Sequence, residues 1–325
     1  MVVDLSELDY YTTMHTNVSH SSEKIKFEKL TAQDVPLAPY SSFGTGGNAE
    51  YFAMPGRMHE LIDILKLSTQ YNLPLTIIGG GTNILISDEG IKGMVLCTQH
   101  LSRFSLRGNL FATRCGMSLD RAISISIDDG LQGLEFLGGI PGTVGGAVRG
   151  NAGSDNHQIS DRLVYVDYFT MDGRLHRMDA DGEDFSYRHS PFMDMKQTVI
   201  LFEAAFSLDN TGQSSEAKKI KEQCIREHGK RGLHSFPNAG SIFKNPEGQK
   251  AGWLIDQCGL KGKTLGGAMV SQEHANVIVN AAGASSRDIF DLSQLAKDEV
   301  AKRFGIDLSY EIQLLGTWPG QKTSS

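Results

Sequence analysis

The chain has 325 residues, a formal net charge of −7, and 36 glycines against only 9 prolines, where an average composition carries about 7% glycine. This balance excludes collagen-like and low-complexity classes, and an acidic chain lacks the basic stripe of a general nucleic-acid binder. With 40% apolar and 21% charged residues, a chain of about two domains buries its core without disulfide or metal staples, so the glycine surplus must come from local backbone geometry.

The four cysteines, Cys97, Cys115, Cys224 and Cys258, form no C-x-x-C pair and no Cys/His cluster at zinc spacing. They read as reduced, packed thiols of a cytosolic protein with no metal site. The first twenty residues carry Asp4, Glu7 and Asp9 and lack the apolar core of a secretory signal. No stretch reaches the roughly 18 apolar residues of a membrane span. A soluble, cytoplasmic protein is expected.

Residues 1 to 30 are polar and aperiodic and read as a low-order extension, with ordered structure expected from about Ala38. From Gly56 to Tyr71, Met58, Leu61, Ile62 and Leu65 share one helical face. Leu75–Ile78 reads as a buried strand, then come Gly79-Gly80-Gly81-Thr82-Asn83 and a second β-type run, Ile84–Ile86. Ser118 caps a helix presenting Leu119, Ala122, Ile123 and Ile127, ending at Gly130. Beyond a glycine-dense region, 130–153, Leu163–Met171 and Leu175–Met178 read as a hairpin turning at Asp172-Gly173. A strand over Val199–Leu208 leads into a polar linker, Asn210–Ser215, taken as a domain boundary. A charged helix then spans Glu216–His228, with Ala217, Ile220 and Cys224 inward and Gly229 as its stop. The last elements are a helix from a Ser286 cap to Phe304, closed by Gly305, and a strand over Tyr310–Leu315. Irregular alternation of helices and strands indicates an α+β class.

The Gly79–Asn83 turn follows a strand, as a dinucleotide fingerprint does, but another strand follows it. A Rossmann site needs a helix there to receive the pyrophosphate, so that reading fails. Consecutive amides in such a turn still form an anion-binding nest; the alternative is a plain tight turn. The second cluster, Gly138-Gly139-Ile140-Pro141-Gly142-Thr143-Val144-Gly145-Gly146, continues to Gly150-Asn151-Ala152-Gly153. Its glycines permit backbone to lie against a ligand, and two such loops favour one large phosphate-bearing cofactor. Gly259–Thr264 misses a P-loop, because Gln257 stands where the first glycine belongs and no strand precedes it. Lys261 and Lys263 remain candidate anion ligands.

Taken together, these segments carry a family resemblance. Ser42-Phe43-Gly44-Thr45-Gly46-Gly47, the Gly79–Asn83 turn, the Gly138–Gly153 cluster, Tyr187-Arg188-His189-Ser190, Gly240–Pro246, Ala251–Ile255, Leu260-Lys261-Gly262 and Glu311 occur in order across most of the chain. The chain resembles the UDP-N-acetylenolpyruvoylglucosamine reductase (MurB) family, in its shorter type II form. Only about twenty residues separate Arg188 from the linker, leaving no room for an inserted tyrosine-bearing loop. The resemblance implies a two-subdomain FAD-binding module of the vanillyl-alcohol-oxidase/PCMH type plus an α+β substrate-binding domain. On this chain the parts fall at 31–102, 103–212 and 213–308, with a C-terminal strand and tail at 309–325. Two departures stand out: Gly150 replaces the customary methionine before Asn151-Ala152-Gly153, and Ser154-Asp155-Asn156 replaces Ala-Tyr-Gly.

The implied activity is non-covalent FAD taking hydride from NADPH and reducing UDP-N-acetylglucosamine enolpyruvate to UDP-N-acetylmuramate, for peptidoglycan synthesis, cell shape and division. Carried over by motif, the catalytic residues are Arg188, Ser241 and Glu311. Arg188 offers a planar cation to the substrate carboxylate. Ser241 is the proton donor, and Glu311 stabilises the developing anion, either protonated or through water. The FAD ligands are Gly79, Gly80, Gly81, Thr82, Asn83, Gly139, Ile140, Thr143, Gly145, Gly146, Asn151 and Gly153. Asn245, Lys261 and His274 serve the substrate, and Tyr187 supports Arg188 or lines the flavin pocket. A monomer is expected. The rival readings are a superfamily FAD oxidase of another sugar or hydroxy acid, and a non-catalytic flavin sensor of UDP-sugars.

Overall fold

The first strand lacks the strict alternation by which strands are recognised. Strand β1 (Ala32–Pro36) pairs antiparallel with β2 (Asn48–Ala53), but Asp34 adopts a left-handed φ of 51° and drops out of the register. Asn48 Nδ2 donates to the Asp34 carboxylate at 2.8 Å. Ordered backbone therefore begins ahead of Ala38, and 26–30 before the strand are helical, with Phe27 edge-on to Tyr51 and Tyr71. The computed structural model describes residues 26–154, 157–230 and 236–319; the expectation of low order thus falls on 1–25, outside the described residues.

Helix α1 (Met58–Gln70) buries the face expected for it, with Leu61 and Leu65 fully enclosed. It connects β2 to β3 (Leu75–Ile78), after which come β4 (Ile84–Ile86) and β5 (Ile91–Cys97). The sheet order is β1-β2-β5-β3, with β5 parallel to both β2 and β3. The strand predicted after Gly81 is β4, so the exclusion of a Rossmann turn holds.

A second, wholly antiparallel sheet follows. Its strands are β6 (Phe104–Arg107), β7 (Leu110–Arg114), β11 (Leu163–Thr170), β12 (Leu175–Asp179) and β13 (Val199–Ser207); between β7 and β11 run α2 (Leu119–Asp128), the short β8 (Leu131–Gln132), α3 (Val144–Arg149) and a two-stranded pair, β9 (Gly153–Ser154) and β10 (His157–Gln158). The order is β12-β11-β13-β7-β6. Ser118 caps α2 by accepting from Arg121 N. On one face Phe111, Val166, Ala204 and Phe206 pack with α2 and α3. On the other, Phe169, Ile200 and Phe202 join α1 in a shared core, which fixes the two sheets relative to each other.

Strand β14 (Asp209–Asn210) pairs with β8 and leads into α4 (Ser214–Lys230). That helix starts earlier than Glu216 and continues through Gly229 to Lys230, so Gly229 does not stop it. The remaining elements are α5 (Ala251–Gln257), β15 (Thr264–Leu265), β16 (Ala268–Val270), β17 (Ile278–Asn280), α6 (Ser286–Phe304) and β18 (Gln313–Leu315). Their core, including Leu254, Ile278, Ile289 and Leu292, also takes in Phe43 and Leu85 from the first sheet region.

The cap of α6 is Ser285, one residue before the expected Ser286. Ser285 Oγ accepts from Asp288 N at 3.1 Å, and Asp288 Oδ2 accepts from Ser285 N at 3.0 Å, a closed capping box. Ser286 instead gives its hydroxyl to Thr45 Oγ1 at 2.8 Å. The last strand is shorter than Tyr310–Leu315: Tyr310 forms only an isolated bridge to Phe243, whereas β18 runs parallel to β4. The chain's end is thus stitched into its beginning. The class is α+β, and no helix among the described residues is long and apolar enough to cross a membrane.

Candidate functional site

The two glycine clusters lie against each other. Thr82 Oγ1 donates to Pro141 O at 3.2 Å. A methyl group on Gly79 would sit 2.5 Å from Thr143 Oγ1, and one on Gly80 would sit 2.7 Å from Gly142 Cα. Gly81, at φ 68°, backs onto the Tyr40 carbonyl. The first loop's glycines therefore answer first to close contact between chain segments, the tight-turn alternative for them, while leaving their amides available for a nest. Gly145 is needed against Cys115, 2.8 Å away, and Gly139, at φ 84°, against His228 and Ile225 of α4. Burial, with Glu203 nearby, raises the Cys115 thiol and keeps it protonated as packing.

Gly146 differs. Its nearest neighbour to a built Cβ is Thr143 Oγ1 at 3.5 Å, so its outer side is open. Gly146 N donates to Thr143 Oγ1, the cap of α3, at 3.3 Å. Beside the first loop, Ser42 N donates to Gly81 O at 3.0 Å, while the buried hydroxyls of Ser41 and Ser42 have no partner among the described residues. The main-chain N–H groups of Gly80, Gly81 and Thr82 likewise make no bond among the described residues. Unused donors beside an open glycine cradle suit a phosphate-bearing cofactor, and FAD fits this set.

Arg188 sits on the tip of a tight hairpin. Ser186 and His189 exchange backbone bonds of 3.2 and 3.1 Å, and Arg188 takes a left-handed φ of 55°, at the turn position that usually calls for glycine or asparagine. Such a residue carries strain of about 1–3 kcal/mol and persists only where its surroundings over-determine it. Three bonds from the Arg149–Gly153 segment hold the hairpin. Ser190 Oγ donates to Arg149 O at 2.6 Å, Asn151 Nδ2 to Ser186 O at 2.9 Å, and Arg188 Nη1 to Gly153 O at 3.3 Å.

The guanidinium meets Glu311 across the structure, with Nε 2.6 Å from Oε1. Glu311 is fixed by its own backbone: its N–H donates to Ile242 O at 2.8 Å, and its carbonyl accepts from Asn83 Nδ2 at 3.1 Å. Ser241, directly before Ile242, bridges to Val277 and is half-buried. Its strand is clamped by Asn276, whose amide accepts from Phe243 N at 3.0 Å and donates to Phe243 O at 2.8 Å. Arg188, Ser241, Glu311 and both glycine loops are therefore connected by a short chain of hydrogen bonds.

The residues expected to hold substrate are placed less evenly. Tyr187 is 56% exposed; its ring centre lies 5.5 Å from the Arg188 guanidinium carbon, and its hydroxyl accepts from Asn245 Nδ2 at 3.4 Å. Asn245 also accepts from Ala251 N at 3.0 Å, which orients its amide at the start of α5. Lys261 is already paired with Asp256 at 3.3 Å. His274 packs against Gly252 and accepts from Asn276 N at 3.3 Å through Nδ1, a structural placement. Sequence reasoning gave no role to Asn276, which stands in no motif, nor to the Ser41 and Ser42 hydroxyls, since Ser42 enters only as the first residue of the Ser42–Gly47 segment. Asn151 was singled out as an FAD ligand, but both hydrogens of its amide go to protein, to Ser186 O and Gln158 Oε1.

Comparison with known proteins matches these features. Residues 232–315 match the profile of the UDP-N-acetylenolpyruvoylglucosamine reductase C-terminal domain, and residues 49–179 match an FAD binding domain. The UDP-N-acetylenolpyruvoylglucosamine reductase 2 of Bacillus cereus is 34% identical over 284 residues, 87% of this chain and 92% of that protein. The Caldicellulosiruptor saccharolyticus reductase is 36% identical over 296 residues, 90% of this chain and 94% of its own. The crystal structure of the Thermus caldophilus reductase superposes with a TM-score of 0.74 at 30% identity, covering 88% of this chain and 98% of that one.

Proposed function

The chain belongs to the UDP-N-acetylenolpyruvoylglucosamine reductase family, and on that premise we propose how its own residues divide the reaction. It is an FAD-dependent reductase that converts UDP-N-acetylglucosamine enolpyruvate to UDP-N-acetylmuramate with NADPH, a step of peptidoglycan precursor synthesis. Bound FAD supplies the two-electron relay between NADPH and the enol ether. The unused main-chain amides of Gly80, Gly81 and Thr82 would hold it, with the open side of Gly146 in the second loop, Thr82, Thr143 and the Ser41 and Ser42 hydroxyls at hand.

Hydride addition at C3 of the enolpyruvyl group leaves negative charge at C2, spread into the adjacent carboxylate. Arg188 receives that carboxylate. Glu311 occupies the Nε edge of the guanidinium and Gly153 O takes one Nη1 hydrogen, which leaves Nη2 and the second Nη1 hydrogen for the substrate. Glu311 also aims Arg188 through that contact, beside its part in stabilising the developing anion. Ser241 delivers the proton to C2. A serine hydroxyl is a weak acid, so transfer occurs only as the strongly basic carbanion develops. Asn245 and Tyr187 flank the entrance, and Lys261 serves the diphosphate if it exchanges Asp256 for it. We place the enzyme in the cytoplasm as a monomer, supplying precursor for wall growth, cell shape and division.

The Arg188–Glu311 contact carries this reading, because it joins the cofactor-loop module to the C-terminal segment beside Ser241. The test is anaerobic reduction of the holoenzyme by NADPH, then addition of the enolpyruvyl substrate while flavin absorbance is followed. Rapid reoxidation by substrate supports the reductase. Recovery with oxygen alone would support an oxidase, and no reduction by NADPH a sensor.

A further inference from the structure

The segment Arg149–Gly153 is more than a cofactor loop, because it also holds the hairpin that carries Arg188. Its central residue, Asn151, is buried and has a left-handed φ of 41°. Its amide is fully committed: Nδ2 donates to Gln158 Oε1 at 2.7 Å and to Ser186 O at 2.9 Å, and Oδ1 accepts from Ser160 N at 3.4 Å. Ser186 is the residue that closes the Arg188 turn with His189. The side chain of one left-handed non-glycine residue thus bonds the backbone that closes the turn of another, Arg188. Asparagine is the apt residue, since it tolerates that conformation and brings an amide that reaches backbone.

We propose that Asn151 is a positioning residue: it fixes the Ser186 carbonyl and so aims the Arg188 guanidinium at the substrate carboxylate. The inference rests on the reading of Arg188 as the carboxylate ligand. Gln158 completes the device, since its amide oxygen takes the second Asn151 hydrogen and prevents the Asn151 amide from turning away. The role differs from that of a cofactor ligand in what it controls. Loss of Asn151 would misplace a group used only in the second half-reaction.

Two variants separate the possibilities. Asn151→Gly keeps the left-handed backbone and removes the amide; Asn151→Asp keeps the shape and turns the donor facing Ser186 O into an acceptor. With holoenzyme of each, FAD content, the flavin spectrum, both half-reactions and the thermal midpoint are measured, and the same changes are made on Arg188→Ala. The expected result is full FAD content, NADPH reduction within about twofold of wild type, and substrate reoxidation slowed about 10–100-fold, with kcat falling more than KM rises. On Arg188→Ala neither Asn151 variant should slow reoxidation further, since residues acting as a unit are non-additive. Loss of FAD from both variants, equal slowing of both half-reactions, or full additivity with Arg188→Ala overturns the proposal. If Arg188→Ala alone leaves reoxidation intact, the assignment of Arg188 fails first, and the proposal falls with it.

Discussion

Arg188 and Glu311 stand 123 residues apart in sequence and meet at 2.6 Å, with both side chains partly shielded from water. A partly exposed pair adds at most about 1 kcal/mol to stability. Its value here is directional, because it takes the Nε edge and, with Gly153 O on Nη1, leaves Nη2 and the second Nη1 hydrogen for the substrate. Glu311→Gln should therefore lower the thermal midpoint slightly while slowing reoxidation by substrate about 100-fold, about 2.7 kcal/mol in the barrier. Reduction by NADPH should stay near normal. Stopped-flow measurement of the two half-reactions decides this; equal slowing of both would show that the pair only holds the fold together.

Ser241→Ala tests the proton donor. Ser241 is half-buried, and the backbone around it is fixed by Asn276 and the Val277 bridge. Its removal should leave structure and flavin reduction unchanged and slow product formation by orders of magnitude. Solvent exchange at C2 gives a second readout. A variant that still protonates C2 at near wild-type rate would remove Ser241 from the role.

Much of this was legible in the residues. Apolar periodicity located α1, α2 and α6, the turn Asp172-Gly173 located the β11–β12 hairpin, and a strand after Gly81 separated this loop from a Rossmann turn. What escaped had a physical reason each time. Strand β1 escaped because the left-handed Asp34 disrupts its alternation. The cap of α6 slipped by one because two serines adjoin and only three-dimensional contact assigns Ser286 to Thr45. The motifs marked Arg188, Ser241 and Glu311, but no local pattern shows that Glu311 pairs with Arg188. That follows from β18 returning to β4. Composition alone does not say which glycines leave room for a ligand: at 79–81 the space beside them is filled by other parts of the chain, and at 146 it is open.

That distinction is measurable with two alanine substitutions. Gly80→Ala places a methyl group against the backbone of Gly142, which cannot yield without parting the two loops. It should destabilise the apoprotein by about 1–3 kcal/mol, the range for overpacking, and lower FAD content as well. Gly146→Ala has room, with its nearest neighbour 3.5 Å away, and replaces glycine within a helix. It should leave apoprotein stability unchanged or raise it by up to about 1 kcal/mol, yet weaken FAD binding by crowding the open side. Thermal melts with and without added FAD report both effects. Undiminished FAD affinity in Gly146→Ala would remove that cradle from the cofactor site.

The junction between the first sheet and α6 yields a prediction with a pH sign. Asp88, in the turn after β4, accepts from Ser286 N and Arg287 N at 2.9 and 2.8 Å, and so caps α6 from the other end of the chain. Asp88→Ala should cost about 1–2 kcal/mol, as loss of a helix cap does. Asp288, inside the same first turn, is held below the usual carboxylate range, chiefly by the Ser285 N–H, against a smaller opposing effect of burial. A carboxyl whose folded pKa is depressed adds stability that is present above its unfolded value, about 3.9, and lost as pH falls through the folded value. The gap in thermal midpoint between wild type and Asp288→Asn should therefore be constant from pH 7 down to about 4, then narrow with further acidification. A gap that closes between pH 7 and 5, or one that persists unchanged at pH 2, would refute this account of the cap.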